Sequence, residues 1–247
     1  MSGAVRVGDT VRRAAGPWTP SVHALLGFLR ERGFTEAPAP LGIDDEDREV
    51  LTYIEGETVG DSDLWPGWWK REDAMVQEAV LLRRFHDLAR DFRPPDNAIW
   101  RSAAGSPGPG QMMCHSDWAP YNVVWRDERI VGVIDWDLAY PGDPLEDVAF
   151  AVWHWVPFHH PGMHGGWSPD RATRLRAFLD AYGLEVRDGF LERVVERIRS
   201  SARRIIELAR EGDAGMRRLV AAGLVPDIVS SAGWLETNLE TFRGGID

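Results

Sequence analysis

The sequence predicts an α+β protein in which a small, β-rich N-terminal unit precedes a larger, mainly helical part. Three observations lead there: strand-like alternation in the first residues, a change to helical period at Glu72, and helical spacing throughout the chain after Pro169. Residues 4–14, AVRVGDTVRRA, alternate apolar and polar about Gly8-Asp9, the pattern of a short hairpin. A helix follows, capped by Thr19 or Ser21, with Val22, Leu25, Leu26, Phe28 and Leu29 as its apolar spacing and Gly33 as its stop. Asp44 to Asp47 read as a solvated turn, and Glu49 to Ile54 as a strand running into Glu55-Gly56. Leu81, Leu82, Phe85, Leu88, Ala89 and Phe92 mark one face of a helix that begins near Glu72 and ends at Pro94-Pro95. A loop spans Ser102 to Gly110, and Gln111 to Asp147 is rich in β-branched and apolar runs, a small β insert. In the clearest of the later helices Phe190, Leu191, Val194, Val195, Ile198, Ile205 and Ile206 hold the core face until Gly212. There is no internal repeat.

Composition narrows the class of protein. With 247 residues, 44% of them apolar, the chain closes a substantial core, and its 25 glycines and 16 prolines fall short of a low-complexity sequence. No apolar run reaches membrane-spanning length and MSGAVRVGDTVRR has no stretch of leader length, so the expected address is cytoplasmic and no membrane partner is expected. The single cysteine, Cys114, forms no internal disulfide and no cysteine-based zinc site, and reads as a buried small apolar residue. A net charge of −11 argues against a nucleic-acid partner and suits a cationic or neutral small molecule. Lys70, the only lysine, has no Gly-rich loop before it, which excludes a Walker A motif.

The chemistry concentrates in Cys114-His115-Ser116-Asp117-Trp118-Ala119-Pro120-Tyr121-Asn122 and in Asp135-Trp136-Asp137. Between them, Val123 to Trp125 and Ile130 to Ile134 read as two strands joined by a charged turn, with Val124 near Val133 and Asn122 within a residue of Asp135. An amide oxygen and a carboxylate then share the open end of a hairpin. Asp117, on a loop that Pro120 keeps from becoming a helix, faces the same point. Such convergent oxygens suit a hard cation, and magnesium prefers few protein ligands because it keeps waters and phosphate oxygens.

H-x-D-x-x-x-x-N followed by an apolar strand and I-D-W resembles the core of the aminoglycoside phosphotransferase family, specifically over residues 112–150 and more loosely from about residue 4 to 243. The resemblance implies a bilobal protein-kinase-like fold: a truncated, β-rich N-lobe with hinge at 1–57, which binds nucleotide, and a mainly helical catalytic and acceptor-binding C-lobe at 58–247. It implies transfer of the γ-phosphate of ATP or GTP to a hydroxyl of a small molecule, with Asp117 taking the hydroxyl proton and Asn122 and Asp135 holding Mg2+. Arg12 becomes the residue that reaches the nucleotide phosphates, with Arg13 as the alternative, since strand alternation sends only one inward. Thr52 and Ile54 would offer backbone groups to the adenine. His115 would orient its loop, and Asp143 and Asp147, in the family's G-D-P-x-x-D pattern, would accept from the loop's amides.

The resemblance departs in two places. The first helix carries Ser21-Val22-His23-Ala24 where the family has a glutamate partner for the phosphate-reaching base. The Gly-rich loop and first strand are missing before Met1-Ser2-Gly3, which implies weakened nucleotide binding or a start further upstream. The short run from Asp135 to VAFAVWHW has no room for a peptide-binding activation segment, which favours a small acceptor. His154, His159, His160 and His164 read as a substrate-side rim loop, Trp65 and Trp68 with the acids near Asp61 and Asp63 as pocket lining, and His86 as structural. The alternatives are a non-catalytic kinase-like nucleotide- or ligand-binding protein and an aspartate-dependent phosphohydrolase. The latter would use Asp135 and Asp137, but Ala139 stands where that chemistry expects threonine or valine.

Overall fold

The computed structural model describes residues 3–59, 66–101, 105–164, 167 and 169–243. β1 (Val5–Val7) and β2 (Thr10–Ala14) form the expected hairpin, closing with Val7 opposite Thr10, and Gly8 takes the left-handed φ of +59° that the turn needs. β2 pairs antiparallel with β4 (Arg48–Thr52) and β4 with β3 (Pro40–Ile43), giving the order β1-β2-β4-β3. The edge strand β3 lacks an alternation signal because Pro40 and Gly42 interrupt it and its register shifts between them.

Between β2 and β3 in the chain, α1 (Thr19–Glu31) buries Val22, Leu25, Leu26 and Leu29. Its start differs from expectation, since no side chain caps it. Pro20 in the first turn has no amide to satisfy, the Thr19 hydroxyl accepts from the Gly16 amide (2.9 Å), and the Ser21 hydroxyl accepts from the Ile99 amide (3.0 Å).

The larger lobe begins with α2 (Glu72–Ala89), which buries Ala74, Met75, Ala79, Leu82 and Phe85. β5 (Met112–Cys114) follows, then the hairpin of β6 (Val123–Arg126) and β7 (Arg129–Val133), then β8 (Tyr140–Gly142), which pairs back onto β5. α3 (Pro144–Trp155) is buried on almost every face, as expected for a helix at the centre of the lobe. β9 (Pro161–His164) leads to α4 (Arg171–Tyr182), α5 (Phe190–Glu211), α6 (Ala214–Ala221), α7 (Leu224–Thr237) and α8 (Leu239–Arg243). α5 follows the expected core stripe from Phe190 to Ile198 and ends at Gly212, but Ile205 and Ile206 are only half-buried because the helix there fronts a cavity. Among the described residues no single helix is long and apolar enough to cross a membrane.

Tryptophans fill the space between these elements. Trp68 stacks on Trp125 at 5.3 Å, and Phe85 stacks on Trp118 at 5.5 Å and meets Trp136 edge-on at 5.1 Å. Trp68 and Trp69 therefore belong to the core, while Trp65, Asp61 and Asp63 lie outside the described residues.

The chain that leaves β4 is clipped to β6 by two hydrogen bonds of 2.8 Å between the backbones of Glu57 and Trp125. Gly56 permits this approach: at its φ of +155°, a Cβ would lie 2.6 Å from Val124 Cγ1 and 2.7 Å from the Trp125 carbonyl. Gly56→Ala is expected to cost about 1–3 kcal/mol, read as a fall in melting temperature. An unchanged melting temperature would mean the clip yields freely.

Candidate active site

The β6–β7 hairpin sets the site's geometry. Asp127 and Glu128 both take left-handed φ values, 50° and 62°, the signature of the tight turn whose twist matches paired strands. Val123 pairs with Val133 and Val124 with Gly132, one residue from the expected register; the tight turn sets the difference and a bulge after Val124 halves it, since the Trp125–Ile130 pairing would otherwise place Val124 opposite Val131. The Ile134 amide donates to the Asn122 carbonyl (2.8 Å), which brings Asn122 beside Asp135. Asn122 donates its side-chain amide to Asp117 Oδ2 (2.7 Å) and to the Asp117 carbonyl (2.8 Å), and the Tyr121 hydroxyl donates to Asp117 Oδ1 (2.8 Å). Asp117, Asn122 and Asp135 all line one cavity of about 1050 Å³.

The 115–122 loop is held from below. Buried Asp147, on α3, accepts the His115 amide (2.7 Å) on one oxygen and the Ser116 amide (2.6 Å) on the other, and His86 on α2 approaches it at 3.2 Å. Burial alone would raise the Asp147 carboxyl, but His86 and these partners hold it below its ordinary value. His86 also bonds the Tyr182 hydroxyl (2.8 Å) at the end of α4. His115 Nδ1 accepts the Asp117 amide (3.3 Å), which leaves Nε2 to donate to the Ile134 carbonyl (3.1 Å) and so ties the loop to the end of β7. Burial lowers the His115 pKa, in keeping with this neutral tautomer. Ser116 takes a φ of 70°, unusual for a side-chain-bearing residue, and Arg197 of α5 fixes it by donating to its carbonyl (2.8 Å). Asp143 does not reach these amides. It caps α3 by accepting from the Leu145 amide (2.9 Å) and pairs with Arg193 (2.8 Å), so of the two aspartates only Asp147 supports the loop.

The β-rich lobe contributes one arginine, and it is Arg13. β2 sends Arg12 to Asp44 (3.2 Å) at the surface, away from the cavity, and sends Arg13 inward, where it donates to Glu49 (2.5 Å), Asp135 (2.8 Å) and Asp137 (2.5 Å). The physical reason is register: Arg13 lies opposite Glu49 on β4, on the face that meets the larger lobe. Burial would lower the Arg13 pKa, but Asp137, Asp135 and Glu49 outweigh it and keep the guanidinium charged. His23, in the helix position where the resemblance places a glutamate, donates through Nε2 to the Glu49 carboxylate (3.0 Å), so the partner acid sits on a strand and not on α1. Sequence reading missed Glu49. Its signal was an acid at a strand start that antiparallel pairing sets against a base.

Asp135 takes a left-handed φ of 61° and stays exposed, with Arg13 on one oxygen. Burial and the neighbouring Asp135 push the Asp117 carboxyl up to about 7. Asp137, also buried, is pushed up to about 6 despite Arg13. A cation set among these groups would bring them back down. The oxygen chemistry fits one: the Asn122 amide nitrogen is spent on Asp117, so its carbonyl oxygen is left over, and the second Asp135 oxygen takes no hydrogen bond among the described residues.

Thr52 spends its amide on the Ala39 carbonyl (3.0 Å) and its hydroxyl accepts the Ala39 amide (2.8 Å), so it is knitted into the sheet, while Ile54 packs on Gly132. Cys114 is buried, which pushes its thiol up. His154 and His159 line the cavity, and no group of three or more His, Cys, Asp or Glu among the described residues is arranged to hold a metal.

A four-stranded lobe set by a buried arginine over a D-x-x-x-x-N loop and an I-D-W hairpin end defines a bilobal, protein-kinase-like fold. Residues 99–191 match the phosphotransferase enzyme family, APH. The chain is 38% identical to the trifolitoxin immunity protein of Rhizobium leguminosarum bv. trifolii over 200 residues, which are 77% of this chain and 74% of that one. It shares its fold with a macrolide 2′-phosphotransferase from Brachybacterium faecium (TM-score 0.59, 17% identity, 89% and 86% of the two chains). An amicoumacin kinase in complex with AMP-PNP, Ca2+ and Ami also shares it (TM-score 0.56, 11% identity, 92% and 87%). The chain belongs to the aminoglycoside phosphotransferase family.

Proposed function

We propose that this protein moves the γ-phosphoryl group of ATP or GTP to a hydroxyl of a small molecule, with residues 1–57 carrying the nucleotide and 58–247 the acceptor. The observation that carries this reading is the fixing of the Asp117 carboxylate by Tyr121 and Asn122 in the cavity that Asp135 shares. In phosphoryl transfer the protein positions the reactants and stabilises charge more than it makes bonds. Asp117, oriented through both oxygens, takes the proton of the acceptor hydroxyl as its oxygen bonds to the γ-phosphorus and the nucleoside diphosphate leaves. Asn122 and Asp135 would hold Mg2+, which supplies positive charge for the phosphate oxygens. Arg13, already at Asp135, is the residue of the small lobe that would meet the nucleotide phosphates, with Thr52 and Ile54 near the adenine. A nucleotide donor implies a cytoplasmic address. Identity with an immunity protein supports an acceptor whose phosphorylation disarms a toxin.

The test measures Mg2+-dependent binding of ATP and GTP by calorimetry, and nucleotide consumption with a panel of metabolites and antibiotics. The expected result is binding plus acceptor-dependent turnover that a chelator abolishes and added magnesium restores. Tight binding with no turnover across the panel favours the non-catalytic alternative. No magnesium-dependent nucleotide binding overturns both.

A further inference from the structure

The two sides of the cavity are charged differently. On the phosphoryl side Asp135 and Asp137 line the space, and Arg13 behind them is saturated by those two carboxylates and Glu49 at 2.5–2.8 Å. On the acceptor side α5 presents Arg197, Ser200, Ser201 and Arg204 to the same space. Spacings of three, four and seven residues put these side chains on one helix face, with the two arginines about 10 Å apart along the axis. Neither guanidinium is neutralised as Arg13 is. Arg197 donates to the Ser116 carbonyl (2.8 Å), the Ser201 hydroxyl (2.6 Å) and the Glu146 carbonyl (3.3 Å), all neutral acceptors, and its carboxylate contact, Glu146, stands at 3.9 Å. Arg204 reaches the Arg101 carbonyl at 3.4 Å and the exposed Glu207 at 3.6 Å, and its Nε is buried with no hydrogen-bond partner among the described residues. An unmet cationic donor beside a cavity costs free energy until an acceptor arrives. Asp213, the other acid on this wall, is taken by Arg101 and by the cap of α6.

Beyond the arginines the wall turns apolar. Leu208, Leu219, Leu224 and Ile228 line the cavity, and α6 buries none of its residues fully. A ligand that satisfies this wall offers an anion to α5 and an apolar stretch to α6 and α7.

Resting on the phosphotransferase reading above, we propose that the acceptor is a hydroxylated molecule with an acidic group, held by the Arg197–Arg204 stripe, and an apolar portion against α6 and α7. The net charge of the chain does not oppose this, because recognition follows the local field: of the two acids on the acceptor wall, Asp213 is paired with Arg101 and Glu207 is exposed and stands 3.6 Å from Arg204. A bidentate guanidinium suits a carboxylate or a phosphate.

The experiment uses ω-hydroxy carboxylic acids of graded chain length, ω-hydroxyalkyl phosphates, the methyl esters of the acids, and amino alcohols of equal length. Binding is measured by calorimetry with magnesium and a non-hydrolysable nucleotide, and turnover by nucleoside diphosphate release. At the best length the anionic compound is expected to bind about tenfold or more tighter than its ester and the amino alcohol. Whether carboxylate or phosphate binds better identifies the acid. Arg204→Gln should remove most of that preference and Arg204→Lys should keep part of it, with melting temperatures reporting that both variants fold. Anions bound no tighter than esters at every length, preferred amino alcohols, or a preference untouched in folded Arg204→Gln would each overturn the proposal. Asp117-dependent turnover of esters or amino alcohols would reject the acidic acceptor yet keep the phosphotransferase reading. Anion-selective binding without nucleotide turnover would do the reverse.

Discussion

Asp117→Asn is expected to lower kcat by about 10²–10⁴-fold, measured as acceptor-dependent nucleotide consumption, while the melting temperature changes little. The substitution keeps the shape and removes the ability to take a proton. Its two neighbours tolerate it: the Asn122 amide still finds a carbonyl oxygen, and the Tyr121 hydroxyl, now a donor at 2.8 Å, rotates to accept from the new amide. Because Asp117 does not touch Arg13 and the small lobe's acids, affinity for magnesium and nucleotide should stay within about threefold. Full activity in the variant would remove Asp117 from the chemistry. Lost nucleotide affinity would recast it as part of the phosphate site.

Arg13→Met should have the largest effect on stability. The guanidinium bridges the lobes, with Glu49 of the small one and Asp135 and Asp137 of the large one on its three donor edges. Methionine refills the volume but leaves buried carboxylates facing one another. His23 still reaches Glu49 at 3.0 Å, but the nearest remaining cation to Asp137 is Arg101 at 3.7 Å. Breaking a buried charge cluster from one side typically costs about 3–5 kcal/mol. For a chain of this size that is a fall in melting temperature on the order of 10 °C, read by calorimetry. Arg12→Met is the built-in control. Its pair with Asp44 lies at the surface, where such pairs are worth under about 1 kcal/mol. Equal losses in the two variants would mean that Arg13 does not hold the lobes together.

Local periodicity made the first hairpin, α1, α2 and α5 legible, because each buries one stripe of a regular pattern. The spacing from Asp117 to Asn122 and the strand ending at Asp135 were equally readable, since a hairpin fixes which residues meet at its mouth. Long-range pairing was not. Alternation says that one of Arg12 and Arg13 points inward, but which one depends on the β2–β4 register and on the face that the other lobe covers. Glu49 escaped for the same reason, its bond to Arg13 spanning 36 positions. β3 escaped because an edge strand with proline and glycine has no alternation to read. Asp143 and Asp147 look alike in sequence, and only the packing of α3 under the loop separates the helix cap from the loop's support.

The line from the Tyr182 hydroxyl through His86 and Asp147 to the amides of His115 and Ser116 anchors the 115–122 loop on α2, α3 and α4. The apolar wall on α6 and α7 shares no member with that spine. On the proposed reading, selection can therefore rewrite what the enclosure admits while the proposed bond-making centre stays untouched, much as a lathe keeps its spindle when the tool is changed. New clientele would be recruited by drift in the last third of the chain, and changes along the spine would be paid in activity toward every client at once.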